Sequence, residues 1–373
     1  MKKIVVLGSG MVGRVMAADL SRDFEVTAVD VSRANLDHLQ KTPVKRLQAD
    51  LAAAGAVRDI VAGYDLVIGA VPGSMGFAAL AEVIAAGKDV VDISFFPEDA
   101  FRLDDAARKA GVTAVVDCGV APGMSNMILG YHAARMTVAR FECYVGGLPF
   151  RREFPFEYKA PFSPADVIEE YTRPARYVEN GHVVVKPALS DVEHLEFPEV
   201  GTLEAFNSDG LRTLLGTMKV PNMIEKTLRY PGHGEHIRAL RDSGFFDREE
   251  IEVAGARVRP LDVTSAVLFK HWRLHEDDDE FTVMRIVVAG EADGRPKRVE
   301  YGLFDRRDRK TGYSSMARTT GFPATAAARL VLAGKFARKG ICPPEFIGAD
   351  ESSFRTVMDE LAARNVVYHR TEE

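Results

Sequence analysis

The chain has 373 residues, with 48 Lys and Arg against 54 Asp and Glu, which gives a formal net charge of −6. That length exceeds what one hydrophobic core usually serves, and the acidic balance argues against a nucleic-acid or membrane-surface binder. The three widely spaced cysteines contain no CxxC pair, which predicts a cytoplasmic protein with neither disulfides nor a metal site.

The first segment, residues 4–20, reads as a strand, a glycine turn and a helix. A dinucleotide site needs this order. Gly8 allows the tight turn, Gly10 lets the backbone approach a pyrophosphate, and Gly13 lets the helix pack closely on the strand. Free N–H groups at the helix start would then hold the phosphates. The residues predicted from this loop to bind the cofactor are Gly8, Gly10, Met11, Val12 and Gly13.

Asp30 ends the next predicted strand, about 20 residues after the glycines, where a carboxylate binds the adenosine ribose. Its charge would repel a 2′-phosphate, which favours NAD over NADP. Arg33 weakens this choice, because a nearby arginine can accommodate that phosphate. The alternative is a glycine turn that binds nothing, with Asp30 capping the helix that begins near Ser32.

Strands and helices continue to alternate as far as residue 123, which predicts an α/β fold with a parallel, doubly wound Rossmann sheet. The predicted helices are 32–40, 51–62, 74–86 and 98–110, and the predicted strands are 44–48, 65–70, 89–93 and 113–116. Ligands of such sheets lie beyond the carboxyl ends of the strands. The further cofactor candidates at these ends are Asp50, Ala70, Val71, Pro72, Ser94 and Asp117.

Asp92 and Asp117 each follow an apolar strand, so both would face the nicotinamide and the substrate. For Asp92 a role in the site and a role as a helix or turn cap are equally open, whereas for Asp117 the cap is favoured. Cys118 reads as a packed residue, since no activating partner can be named.

The pattern changes after residue 123. A helix over 124–136 is followed by strand-like segments at 140–146, 154–158, 182–185, 226–230, 282–289 and 298–304. Helices are predicted at 163–170, 209–216, 234–243 and 260–271. This indicates an inserted α+β domain over 124–319. The apolar helix from residue 320 and the amphipathic helix 352–364 lack strands of their own, so we expect 320–373 to return to the first domain, residues 1–123.

Several segments resemble the saccharopine dehydrogenase-like family, and within it the L-lysine 6-dehydrogenases. They are the GSGMVG loop, DCGVAPGMSN at 117–126, YVGGLP at 144–149, FSPADVIEEYTRP at 162–174, GTLEAFNSDG at 201–210, RYPGH at 229–233 and the stretch 316–345. The resemblance covers nearly the whole chain and implies NAD as oxidant, an amino-acid substrate, most simply L-lysine, and a homodimer. A saccharopine-type secondary amine is the alternative substrate. A nucleotide-binding sensor without turnover is an alternative of another class.

Oxidation of an amine by hydride transfer needs a neutral amine, so a base must take a proton before the hydride leaves, and the iminium that forms is then hydrolysed. His233 follows a glycine turn, and we place it at the mouth of the cleft between the domains as this base; a surface-loop histidine is an equal alternative. Asp92 and Glu157 are the other catalytic candidates. His236 adds a metal-like spacing, but no third ligand is visible, so no metal is expected.

Substrate contacts are expected from the second domain. Glu157 would attract an ammonium group, and a cation would bind the α-carboxylate, although each arginine alone is more often a solvated helix residue. Trp272 is expected to serve packing, and Phe206 is at least as much a core candidate. The predicted substrate-binding residues are Tyr158, Lys159, Phe206, Asn207, Arg212 and Arg238.

Overall fold

The computed structural model describes all 373 residues. Strands and helices alternate through its first third. They are β1 Lys3–Leu7, α1 Met11–Leu20, β2 Glu25–Asp30, α2 Arg33–Asp37, β3 Lys45–Gln48, α3 Ala56–Val61, β4 Leu66–Gly69, α4 Gly73–Ala85, β5 Asp89–Asp92, α5 Asp104–Lys109 and β6 Thr113–Val115. A short 3₁₀ helix, Ala100–Leu103, precedes α5.

The middle of the chain is richer in strands. It contains α6 Met124–Ala133, β7 Thr137–Pro149, α7 Pro164–Thr172, β8 Ala175–Glu179, β9 His182–Lys186, β10 Glu193–Phe197, β11 Gly201–Asn207, α8 Leu214–Thr217, β12 Asn222–Arg229, α9 His233–Asp242, β13 Ile251–Val253, β14 Ala256–Val258, α10 Pro260–His271, β15 Glu280–Ala292 and β16 Arg295–Arg306. The C-terminal elements are α11 Ser315–Leu332, β17 Gly340–Cys342, α12 Pro344–Ala349, α13 Glu351–Ala362 and β18 Tyr368–Glu372.

The first sheet is parallel throughout, in the order β17-β6-β5-β4-β1-β2-β3. β4 is buried along its whole length and β1 along all but its first residue, which explains their unbroken apolar sequences. The strand order reverses beside β1, between β2 and β4. Such a switch point leaves a crevice at the carboxyl ends of the strands, where a nucleotide binds.

The second sheet is mixed. Its main path is β10-β11-β12-β7-β15-β16-β18, and β8 and β9 extend it beside β12. β12 and β7 run parallel, whereas the other neighbours in the path are antiparallel. Since β7 and β12 are central, their side chains on one face are covered and form a fixed wall.

The C-terminal segment returns to the first domain. Helix α11 packs on α1, where Thr325 Oγ1 donates to the buried Asp19 carboxylate at 2.8 Å and Arg329 Nη1 donates to it at 2.9 Å. Strand β17 pairs in parallel with β6. The predicted fold class, a Rossmann sheet with an inserted α+β domain and returning helices, is therefore confirmed. No helix has the length and apolar character needed to cross a bilayer.

Several local predictions differ from the structure, among them the helix predicted at 209–216, which begins only at Leu214, and the strands β8, β10 and β11, which were not predicted. In the segment 154–158, residues 154–156 form a turn and the rest is irregular rather than a strand, and its Pro155 has no N–H to donate to a sheet ladder. The last residues form β18, which pairs with β16 of the second sheet instead of staying with the first domain. Only Tyr368 of β18 is buried, so its sequence lacks the alternation of a half-buried strand.

Candidate active site

A cavity of about 670 Å³ lies between the carboxyl end of the Rossmann sheet and the second domain. Every residue predicted to bind the cofactor lines it. These residues are Gly8, Gly10, Met11, Val12, Gly13, Asp30, Asp50, Ala70, Val71, Pro72, Ser94 and Asp117. The opposite wall comes from β7, β12, α7 and the loop at 208–210. The cavity therefore joins the crevice at the end of the Rossmann sheet to a second, polar compartment beside the second domain.

The glycine loop has the space that a dinucleotide requires. Gly8 has φ +95°, and a Cβ there would clash with the carbonyl oxygen of Ala70. A Cβ on Gly13 would clash with the carbonyl oxygen of Gly8. Gly10, at the start of α1, has no heavy atom within 4 Å of the place a Cβ would take. Gly8 and Gly13 must therefore be glycine, because any side chain there would clash with the protein's own backbone. Gly10 instead leaves open space where a pyrophosphate would approach.

Asp30 is held rigidly at the end of β2. One carboxylate oxygen accepts from the Ser9 N–H at 2.7 Å, and the other accepts from the Ser32 N–H at 2.7 Å. Arg33, in contrast, points its Nε at Asp37, 3.1 Å away, with 60% of its side chain exposed. The polar wall at this end of the cavity therefore presents a fixed carboxylate, while the arginine is engaged elsewhere.

Asp117 and Arg212 form a buried ion pair between the two domains. Arg212 Nη2 donates to Asp117 at 3.0 Å, its Nε donates at 3.2 Å, and its Nη1 donates to the Phe96 carbonyl at 2.6 Å. Only 5% and 2% of the two side chains are exposed. The prediction of Arg212 as a substrate contact is corrected, because its donors are occupied by the first domain and it does not line the cavity.

Asp92 lies beneath the cavity surface. Its carboxylate accepts from the Ser94 N–H at 2.6 Å and packs against Gly69, so it shapes the turn that places Ser94 on the surface. Burial and, more weakly, the neighbouring Asp117 charge raise the pKa of Asp92 to about 7. Of the two roles left open for Asp92, these contacts are those of a turn cap.

His233 is buried, not at the mouth of the cleft, and it is absent from the cavity surface. Its Nδ1 lies 2.8 Å from the Phe156 carbonyl, which can only accept, so Nδ1 carries the proton. Its Nε2 therefore accepts from the Tyr171 hydroxyl at 2.9 Å. That hydroxyl in turn accepts from Arg229 Nε at 3.0 Å. Burial and the Arg229 charge lower the pKa of His233 to about 3, so the imidazole is a neutral support for Tyr171 and Arg229.

The other residues predicted for the substrate lie behind or outside the wall. Glu157 accepts from Arg152 at 2.6 Å, and Lys159 pairs with Glu153 at 3.2 Å. Asn207 accepts from the Tyr177 hydroxyl at 2.6 Å. The remaining three are Tyr158, whose hydroxyl faces Arg229, Phe206 in the core, and the exposed Arg238. None of these six lines the cavity.

The residues that do line the substrate compartment share a simple spacing. On and just past α7, Asp166, Glu169, Glu170 and Arg173 follow helical spacing, and on β12, Glu225, Thr227 and Arg229 alternate along one face. The helical and strand periods could have revealed both sets. The sequence prediction used the glycine turn of His233 instead of these periods.

Arg229 is fully engaged in this wall. Its Nη2 donates to Glu170 at 2.9 Å, Nη1 donates to the Leu228 carbonyl at 2.9 Å, and the guanidinium stacks on Tyr158 with 4.4 Å between Cζ and the ring centre. These contacts fix both the guanidinium and the Glu170 carboxylate at the cavity surface.

Arg173 is less satisfied. Its guanidinium stacks on Phe95, with 4.8 Å between Cζ and the ring centre, and Nη2 lies 3.6 Å from Glu169. Nη1 is buried without a hydrogen-bond partner. Burial and the nearby Arg212 charge lower the pKa of Arg173, which means that the site disfavours this cation until an anion joins it. The arrangement can bind a carboxylate.

Known proteins share this organisation. Residues 4–115 match the saccharopine dehydrogenase NADP binding domain, and residues 119–367 match the saccharopine dehydrogenase C-terminal domain. The mitochondrial alpha-aminoadipic semialdehyde synthase of Bos taurus is 24% identical over 98% of this chain, which spans 47% of that relative. The saccharopine dehydrogenase [NADP(+), L-glutamate-forming] of Saccharomyces cerevisiae is 24% identical over 92% of this chain and 94% of its own length.

The chain thus spans about half the length of the first relative and nearly all of the second. The solved structure of apo saccharopine dehydrogenase (L-Glu forming) from Saccharomyces cerevisiae superposes with a TM-score of 0.79 at 21% identity, covering 100% of both chains. That likeness shows a shared fold. Because the two domain models together match the Rossmann half and the substrate half in order, the chain belongs to the saccharopine dehydrogenase family.

Proposed function

We propose that this protein is an NAD-dependent amino-acid dehydrogenase that oxidises the side-chain amine of L-lysine. The reaction converts R–CH₂–NH₃⁺, NAD⁺ and water into R–CHO, NH₄⁺, NADH and H⁺. The observation that carries the proposal is the single cavity, which joins the open glycine loop to a compartment bearing both carboxylates and arginines. Bound NAD would supply the hydride acceptor; the side chains described above would bind and orient the substrate.

The choice of NAD rests on Asp30. Its carboxylate faces the cavity and is fixed by two backbone N–H groups, so it can accept from ribose hydroxyls and would repel a 2′-phosphate. Arg33 is turned toward Asp37 and lies off the cavity surface. The matching family domain and the yeast relative carry NADP in their names, so cofactor preference is a property to measure in this chain itself.

The choice of a cationic substrate rests on the charges of the second compartment. Its lining carboxylates, Asp117, Asp166, Glu169, Glu170, Asp209 and Glu225, outnumber its arginines, Arg173 and Arg229. Four of these acids are paired with arginines, which leaves Asp166 and Glu225 to receive the two ammonium groups of lysine. Its carboxylate would take the unfilled Nη1 of Arg173, a charge-assisted contact.

A saccharopine-type secondary amine is the second candidate, supported by the name of the yeast relative. Saccharopine carries three carboxylates, and here Arg229 already serves Glu170. We therefore place it after lysine.

The test is a panel of amines with NAD and with NADP, followed by NADH or NADPH absorbance. L-lysine, saccharopine and cadaverine distinguish the two candidates and the need for an α-carboxylate. Turnover of L-lysine with NAD and release of ammonium support the proposal. Turnover of saccharopine in its place selects the second candidate. Cofactor binding without turnover of any amine would establish the sensor alternative and overturn the enzymatic one.

We also propose a homodimer formed through the second domain. Val263 and Val267 lie one turn apart on α10 with 52% of each residue exposed, and Ile251 and Val253 of the neighbouring hairpin are exposed at 49% and 51%. Exposed apolar side chains of this kind are candidates for an association surface. Light scattering during gel filtration, with Val267→Glu as the disrupting variant, tests it; a monomeric wild type refutes it. The cytoplasmic location stays a prediction.

A further inference from the structure

The proposed reaction needs a base, and the three candidates from the sequence all lie off the cavity surface. His233 is neutral and buried, Asp92 caps a turn, and Glu157 is paired with Arg152. The group that replaces them must line the cavity and must have an oxygen or nitrogen free to take a proton.

Glu225 meets both conditions. It projects from β12 on the same face as Thr227 and Arg229 and lines the cavity, although only 3% of the residue is exposed. Its Oε2 has no hydrogen-bond partner. Its carboxyl packs directly against Gly210, where a Cβ would occupy the space of the carboxyl group, so the missing side chain of Gly210 is what makes room for Glu225.

Five other carboxylates line this wall, and four of them are paired with an arginine. Asp117 accepts from Arg212, Asp209 accepts from Arg176 at 2.8 Å, and Glu170 accepts from Arg229. Glu169 pairs with Arg173 and Arg248, whereas Asp166 packs against Gly73 in the first turn of α7 without an arginine partner, and burial raises its pKa as well. A carboxylate stabilised by a cation or by N–H donors is a weaker base, because the same contacts that favour its charge disfavour its protonation.

Glu225 faces these acids without a cation of its own. Burial has the largest effect on its pKa, followed by the charges of Asp209, Glu170 and Asp117, while Arg212 opposes them more weakly. Cys143, on the adjacent strand β7, and Tyr177, whose hydroxyl donates to the Glu225 carbonyl, complete its surroundings. Burial and the charges of the three carboxylates raise the pKa of Glu225 to about 8, which is closer to the pKa of an alkyl ammonium group than the pKa of an ordinary carboxyl is.

We propose that Glu225 is the catalytic base that takes a proton from the ammonium group of the substrate. This inference rests on the proposed amine dehydrogenase function. In the step, the Glu225 carboxylate forms a new O–H bond as one N–H bond of R–CH₂–NH₃⁺ breaks, which leaves the neutral amine and a neutral carboxyl. The nitrogen lone pair then forms the C=N bond of the iminium as the hydride leaves for NAD⁺. Water hydrolyses the iminium to the aldehyde and NH₄⁺, and Glu225 releases its proton to solvent as the H⁺ of the overall reaction.

The test compares Glu225→Gln, Glu225→Asp and a matched control, Glu280→Gln. Glu280 is also buried, also has an Oε2 without a partner, and lies on β15 of the same sheet, away from the cavity; burial raises its pKa to about 7. We expect Glu225→Gln to lower kcat/KM for L-lysine by about 10²- to 10⁴-fold. In the wild type, kcat/KM should rise with pH through about 8. Glu225→Asp should keep a titrating inflection, and the glutamine variant should lose it.

A second measurement does not depend on turnover. L-lysine binding to the protein with NADH, which cannot accept a hydride, is followed by calorimetry in buffers of different ionisation enthalpy. Below about pH 8 the cationic ligand should displace a proton from wild-type protein and from Glu280→Gln, but not from Glu225→Gln. If wild-type protein oxidises lysine while Glu225→Gln keeps both the rate and the pH inflection, the inference fails and the proposed function stands. If the wild type oxidises no amine, the proposed function itself fails.

Discussion

Replacing Arg212 with methionine should destabilise the protein strongly, because it leaves Asp117 buried without its cation. Arg212 gives that carboxylate donors at 3.0 and 3.2 Å, and the two side chains are 5% and 2% exposed. Removal of one member of a buried ion pair costs about 3–5 kcal/mol. Both residues have positive φ, 53° for Asp117 and 48° for Arg212. Methionine is not β-branched, so the backbone cost at Arg212 should change little on substitution.

The assay is denaturant unfolding of a double-mutant cycle that contains Arg212→Met, Asp117→Asn and both together. The double variant should recover most of the loss, since no unpaired charge remains, and asparagine tolerates a positive φ. The matched control is Arg355→Met, which breaks the exposed pair with Glu351 and should cost at most about 1 kcal/mol. A loss below about 1 kcal/mol for Arg212→Met, or a double variant as unstable as the single, would refute the reasoning.

Three further predictions concern the cofactor end of the cavity, its substrate end and the buried support of its wall. Asp30→Ala removes a charged hydrogen-bond acceptor worth about 1.5–3 kcal/mol, so it should weaken NAD binding by about 10- to 150-fold. It should also relax discrimination against NADP. Equal Kd values for wild type and variant in a fluorescence titration would remove Asp30 from the site. Arg173→Met should raise KM for L-lysine by about 10- to 150-fold with a smaller change in kcat, whereas Arg248→Met, which shares the Glu169 partner, should leave both constants unchanged; an equal effect of the two variants would argue against the carboxylate anchor. His233 has a folded pKa of about 3, below its ordinary value of 6.5, so the stability it contributes is present above pH 6.5 and is lost as pH falls toward 3. Denaturant midpoints between pH 7 and 4 should therefore fall less steeply in His233→Asn than in the wild type, and parallel curves would contradict this.

The Rossmann half could be predicted because its signals are local. Gly8, Gly10 and Gly13 lie within six residues of each other, and Asp30 ends a strand that pairs with β1. The strand, the turn and the helix can therefore be predicted from neighbouring residues. The residues predicted to bind the cofactor all line one cavity for the same reason: the carboxyl ends of parallel strands meet at one edge of the sheet.

The substrate half depends on distant partners. The position of Arg212 depends on its ion pair with Asp117, which lies 95 residues earlier in the chain. No sequence feature near Arg212 predicts that pair. His233 has the expected glycine turn, but Tyr171 and Phe156 bury it. Edge strands such as β18 carry too few buried residues to show alternation. In contrast, the charged face of α7 follows the helical period and could have been predicted from the sequence. The sequence prediction instead chose a histidine as the base and did not include this face.

The final strand β18 makes the chain pass between the two sheets a third time, after the passages that lead into β7 and into α11. Because the chain crosses between the two sheets at three places, we expect that neither sheet can separate from the other while both stay folded. We therefore expect the two sheets to unfold in one cooperative step. The molecule carries its own reporter of this coupling, because its single tryptophan, Trp272, is buried in the second domain, whereas circular dichroism senses the helices of both. Coincident transitions by the two probes would show that the nucleotide and substrate halves share one folding equilibrium, so that a ligand held by either half would stabilise both.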